Sequence, residues 1–244
     1  AFMFLGGVNF TLLWLCRKGN IFLVWKDEEF RYYAFYLLLA ITLISLTLMN
    51  TGHGYGESIR DGIFNVISIA TSTGYATEDY MAWPVVTHVA LFILMIVGAS
   101  AGSTGGGLKL LRVSLAFKIA MRELRRIAQP RKIDRIRMNN EVVEDRQIGL
   151  IVGMLFVWVI LFGGASILLA IMMPDASFES IVSLVASSLG NTGPALGEYG
   201  PSNTWVGMDK SELILTSILM WFGRLELLTA VIVLHPHTWR REDK

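Results

Sequence analysis

Five long apolar runs, at residues 1–16, 32–49, 81–98, 148–173 and 212–234, constrain this chain more than any other feature. A helix needs about 20 apolar residues to cross roughly 30 Å of hydrocarbon, and these runs approach or exceed that length. Two shorter apolar stretches, 59–71 and 178–189, are too short to span, and each ends in a loop of small residues. Stretches of that length suit re-entrant or buried helices. Composition agrees: the 244 residues are 53% hydrophobic and 17% charged, more apolar and less charged than an ordinary soluble domain. The expected class is an all-α membrane protein. The chain opens on Ala1 with no signal-peptide n-region or cleavage site, and its first run reads as the end of a helix that begins earlier.

Lys and Arg number 21 against 20 Asp and Glu, a formal net charge of +1 that points neither to nucleic acid nor to an acidic tail. The distribution is more informative. Segments 17–31, 109–146 and 235–244 hold 18 basic and 10 acidic residues, whereas the intervening loops hold Arg60 and Lys210 against nine acids. The positive-inside rule assigns the basic set to the cytoplasm, and the acidic outer face would concentrate external cations. The single cysteine, Cys16, excludes an intrachain disulfide and a cysteine-based metal cage, and His235 and His237 have no nearby third ligand.

The chain repeats itself. A shift of 119 residues lays Ser68, Thr73, Gly74 and Ala76 on Ser187, Thr192, Gly193 and Ala195, each set following a short apolar stretch. A second echo, Met95 to Gly98 and Met220 to Gly223, follows each loop and has a third copy at Met3 to Gly6. The unit reads as outer helix, short helix, Thr-Gly loop and inner helix, present twice, with the end of one more copy in front. Irregular backbone at membrane depth is tolerated only where it is buried in protein or lines water. Glycine frees the carbonyls to face one side, and rings of carbonyls replace the hydration shell of an alkali cation in the T-V-G-Y-G potassium filter. Ser72, Thr73, Gly74 and Tyr75, with Asn191, Thr192, Gly193 and Pro194, read as reduced versions of that filter. Taken singly, each is also compatible with an ordinary turn.

With the run Gly98 to Gly107 and the segment Gly223 to Leu228, these loops resemble the Trk/Ktr/HKT superfamily of potassium transporters, most closely the bacterial TrkH type. The resemblance covers essentially the whole chain. It implies four outer helix, pore helix, inner helix units around one pore, with selectivity set by filter-loop carbonyls. Of these, the chain would carry the end of an inner helix (1–18), one pore repeat (30–128), a cytoplasmic linker (129–146), a second pore repeat (147–236) and a cytoplasmic tail (237–244). The missing N-terminal half would supply the rest of the filter, so the chain is expected to be part of a longer protein. The resemblance further implies the inner membrane as location and K⁺ as transported ion, with no covalent cofactor and no enzymatic activity. Its implied partners are membrane lipid, a second copy of the protein and a cytosolic nucleotide-binding regulatory subunit.

The glycine-rich run admits other readings. It misses the phosphate-loop pattern, because Leu108 separates Gly107 from Lys109. It fits G-x-S-x-G at Gly98, Ser100 and Gly102 by letter, but an apolar helix-length run precedes it where a hydrolase has a strand. A helix contact of small residues and an unwound intramembrane loop remain; the resemblance implies that Gly102, Ser103, Thr104, Gly105 and Gly106 form a gate. Arg224 lies about a dozen residues into its apolar run, where an arginine costs on the order of 2.5–3.5 kcal/mol and needs a partner or water. It reads either as a structural anchor or, following the resemblance, as a fixed charge in the gate. Glu226 lies near the place of Lys109 between repeats and carries the opposite charge, which suggests an ion pair. The basic stretch 109–137 fits anionic lipid or the regulatory subunit. A carrier with alternating access is the competing mechanism; parallel repeats disfavour it.

Overall fold

The computed structural model describes residues 1–19, 21–129 and 135–225, and these are mostly helical. Two short helices, α1 (Phe2–Gly6) and α2 (Phe10–Arg17), take up the first apolar run. The sequence reads that run as the end of one helix. It breaks after Gly6, and α2 restarts at Asn9, whose side chain accepts from the Thr11 amide at 2.9 Å. After α3 (Ile21–Lys26) comes α4 (Glu28–Asn50), whose 23 residues extend for about 35 Å at 1.5 Å each. Asp27 caps it by accepting from the Phe30 amide at 2.8 Å, and Glu28 and Glu29 place negative charge where the helix dipole favours it.

The first complete unit continues with α5 (Tyr55–Ala70), a loop at 71–79, and α6 (Val85–Val97). At 13 residues, α6 covers about 20 Å, too little for a bilayer core. It ends because Gly98 has φ 69° and ψ −156°, a conformation that a side chain resists. The chain is irregular from Gly98 to Lys109, then forms the amphipathic α7 (Leu110–Ala128). The second unit has α8 (Asp145–Met172), α9 (Phe178–Gly190), a loop at 191–209 and α10 (Lys210–Arg224). Among the described residues, α4 and α8 are the two helices long and apolar enough to cross a membrane.

The linker adds one small β element to this helical fold. Residues Arg137–Met138 and Glu141–Val142 form a small antiparallel pair, β1 and β2, turned by Asn139 and Asn140 at φ 50° and 67°. Positive φ at both turn residues is what a tight two-residue hairpin requires. Asn139 Nδ2 donates to Asp27 at 2.7 Å, its Oδ1 accepts from the Glu28 amide at 2.8 Å, and Lys118 pairs with Glu28 at 2.5 Å. The linker is therefore tied to the start of α4.

Each unit builds an apolar core. Tyr33, Ile44, Leu48, Ile69, Leu91 and Leu94 fill that of the first, and Trp158, Leu169, Leu184, Leu189 and Leu219 that of the second. Ile96 and Phe162 pack against both, so α6 and α8 join the units. Each of the three Met-x-x-Gly echoes lies at a helix end. Helix α1 ends at Gly6, α6 is capped by Gly98, and α10 ends one residue after Gly223.

Candidate functional site

The short helices α5 and α9 hold the two Thr-Gly loops in matching backbone conformations. Ser72 and Asn191, equivalent by the 119-residue shift, are left-handed at φ 54° and 52°, and Gly74 and Gly193 follow at φ 79° and 107°. The Thr73 amide donates to the Ser68 carbonyl at 2.8 Å, and the Thr192 amide to the Ser187 carbonyl at 3.0 Å. These are again equivalent pairs. The loops abut: a Cβ on Gly74 would overlap the Thr192 carbonyl oxygen, while one on Gly193 would meet nothing closer than Gly74 Cα at 3.9 Å. Beside them opens a cavity of about 400 Å³, lined by Gly74, Tyr75, Gly193, Pro194, Asn203 and Trp205 among others. Tyr75 is exposed. The hydroxyls differ, since Thr73 Oγ1 bonds Thr71 Oγ1 at 2.8 Å whereas Thr192 Oγ1 is buried with no partner among the described residues.

The support of the second loop was not anticipated. Along the buried face of α9, Ser187 Oγ accepts from the Gly193 amide at 3.1 Å, Ser183 Oγ from Leu196 at 2.9 Å, and Ser180 Oγ from Glu198 at 3.1 Å. This row satisfies amides that an extended segment buried against a helix would otherwise leave unpaired. Its signal was the helical spacing of Ser180, Ser183 and Ser187, masked in an otherwise apolar stretch. In α5, Asp61 occupies the place of Ser180 and accepts from Thr77 Oγ1 at 2.9 Å.

The glycine-rich run folds under the two loops. Gly106 has no room for a Cβ, which would overlap the Gly190 carbonyl oxygen, and a Cβ on Gly105 would crowd that of Ala99 at 2.9 Å. The Thr104 amide and hydroxyl both donate to Gly6 O, at 3.1 and 2.9 Å, while Gly102 O accepts from the Phe10 amide at 3.1 Å. Gly102, Ser103 and Thr104 thus form the end that reaches α1 and α2, and Gly105 and Gly106 the end beneath the loops. The Lys109 ammonium lies inside the fold of the run and donates to the carbonyls of Gly105 and Ser103. Glu226, its expected ion partner, lies outside the described residues, as do His235 and His237.

Arg224, expected to need a partner or water, meets a backbone carbonyl. It is the last residue of α10, and its Nη1 donates to the Thr104 carbonyl at 2.9 Å. The acidic residues of the intervening loops are partly committed to structure. Asp61 pairs with Arg60 at 3.0 Å, Glu179 with His88 at 3.0 Å, Asp79 accepts from the Met81 amide at 3.0 Å, and Glu212 caps α10 through the Asp209 amide at 2.8 Å.

Comparison with known proteins decides the family. The TrkH family, described as a cation transport protein, matches residues 1–239. The chain belongs to the TrkH family. The Trk system potassium uptake protein TrkI of Halomonas elongata is 31% identical over 241 residues, covering 98% of this chain and 49% of that protein. The Trk system potassium uptake protein TrkH of Escherichia coli K12 is 32% identical over 243 residues, with the same coverage. The crystal structure of the potassium transporter TrkH from Vibrio parahaemolyticus superposes with a TM-score of 0.89 at 29% identity, covering 98% of this chain and 51% of that one. The chain therefore spans about half the length of these TrkH-family relatives, which are membrane transporters rather than enzymes.

Proposed function

We propose that this chain supplies two units of a channel-like potassium uptake protein of the inner membrane. The observation that carries the reading is the paired geometry of the Thr-Gly loops, with equivalent residues at positive φ and Gly74 against Gly193. A dehydrating cation needs oxygens that replace its water at once, and backbone carbonyls in a glycine-permitted conformation supply them without a charged ligand. Ser72 to Tyr75 and Asn191 to Pro194 are the filter segments contributed here. Two further segments complete the ring from the remainder of the protein. The relatives' names, which specify potassium uptake, support K⁺ as the ion.

Below the filter, the run from Gly102 to Gly106 acts as the gate. Arg224 holds it at Thr104 and places a guanidinium there, which opposes cation passage wherever bulk water does not screen it. The units are 30–128 and 147–236, preceded by the end of another at 1–18. The basic face of α7 serves anionic lipid or a cytosolic nucleotide-binding subunit, and the protein works as a homodimer.

The test is growth. The full-length protein should restore growth of a K⁺-uptake-deficient bacterium at low external K⁺ and take up Rb⁺. Correctly inserted protein that restores neither would contradict the proposal.

A further inference from the structure

The Ser72 side chain bonds away from its own loop. Its Oγ donates to the Gly190 carbonyl at 2.8 Å and accepts from the Gly106 amide at 3.0 Å. One hydroxyl therefore joins the base of the first loop, the end of α9 and the glycine-rich run. The equivalent residue does a related task. Asn191 Nδ2 donates to the Met220 carbonyl at 3.0 Å, on the helix that ends at Arg224. Both residues are left-handed, at φ 54° and 52°, so in each unit the backbone turns immediately before the Thr-Gly pair and the side chain reaches a later segment, the glycine-rich run for Ser72 and α10 for Asn191.

We propose that Ser72 is a positioning residue that couples the gate to the filter. This rests on the assignment of filter and gate made above. Gly106 is buried, and its backbone lies so close to Gly190 that no side chain fits between them. The run therefore cannot move away from the loops without breaking the Gly106–Ser72 bond or pulling Ser72 with it. Breaking it leaves a buried amide without its partner, which is unfavourable; pulling Ser72 displaces the backbone two residues before Gly74. Either way, the filter senses the gate. The path closes on itself, since Arg224 grips Thr104 of the same run while Asn191 grips the helix that carries Arg224. Coupling through a contiguous set of bonds with two arrangements can be measured as a dependence of one site on the other.

The experiment separates coupling from mere support. Rb⁺ and Na⁺ fluxes are measured in proteoliposomes for full-length protein carrying Arg224→Gln, Ser72→Ala or both, with melting temperature in detergent confirming folded protein. With Ser72 intact, Arg224→Gln should raise flux and shift the Rb⁺/Na⁺ ratio by about fivefold, the lower end of ordinary site-to-site coupling. In the Ser72→Ala background the same change should raise flux and leave the ratio where Ser72→Ala alone puts it. An equal ratio shift in both backgrounds, or a raised flux with no shift while Ser72 is present, would overturn the coupling and leave the gate standing. Unchanged flux in every Arg224→Gln protein would remove the gate, and the coupling with it. If Ser72→Ala does not fold, Ser72→Cys replaces it; its thiol bonds weakly, so the shift should shrink without vanishing.

Discussion

The Tyr80 hydroxyl donates to the Ala195 carbonyl at 3.0 Å, so a fully buried side chain of the first unit fixes the backbone just after Pro194 in the second. The Tyr80 carbonyl in turn accepts from His88 Nε2 at 2.9 Å, and His88 Nδ1 lies 3.0 Å from Glu179 at the start of α9. The second loop is thus held from below by its own serines and from the side by its neighbour.

Tyr80→Phe removes only the hydroxyl and leaves the Ala195 carbonyl buried without that donor, at a cost of about 1–3 kcal/mol. The variant should fold with a lower melting temperature and discriminate less well between Rb⁺ and Na⁺. Thermal melts and paired flux measurements check both. A loss of stability at an unchanged flux ratio would confine Tyr80 to packing.

Deleting Gly105 and Gly106 removes the part of the run wedged under Gly190 and Thr71. If the run obstructs the path, flux per folded molecule should rise several-fold although less protein folds. Reduced yield at normal specific flux is the outcome expected of a helix-packing element.

Arg224 is exposed among the described residues and bonds one backbone carbonyl. Arg224→Gln should therefore raise flux with little change in melting temperature, and Arg224→Lys, which keeps the charge, should stay nearer the parent protein. A marked fall in melting temperature with specific flux unaltered would make it an anchor.

Asn139 ties the linker hairpin to the cap of α4 by two hydrogen bonds. Asn139→Ala should cost about 1 kcal/mol or more of stability, as lost helix-end hydrogen bonds do. Its selectivity should match the parent protein, since the hairpin touches neither loop.

The sequence made the long helices legible because Glu28–Asn50 and Asp145–Met172 are apolar over more than a bilayer's depth. It also revealed both loops, since Thr-Gly recurs at one offset after two short helices. The break in α6 followed from the density of glycine after Gly98. What stayed hidden depends on partners distant in sequence. Arg224 meets Thr104, 120 residues away, and Ser72 meets Gly190, 118 away, and no local pattern encodes either. The serine row of α9 was visible as spacing but acquired meaning only from the amides that it receives. Asn139 and Asn140 are a turn signal set within a basic stretch, where charge hides it.

Gly193→Ser tests the central claim most directly. Space is open at Gly193, so the added side chain has room, yet φ 107° is a conformation it resists, and the loop must shift where its carbonyls are needed. Gly74→Ser would be less clear, because its Cβ overlaps Thr192 and folding itself would suffer. In proteoliposomes of the full-length protein, Gly193→Ser should conduct with a markedly lower Rb⁺/Na⁺ flux ratio than the parent. Folded Gly193→Ser protein with the parent's ratio would contradict the assignment of these loops as the selectivity filter.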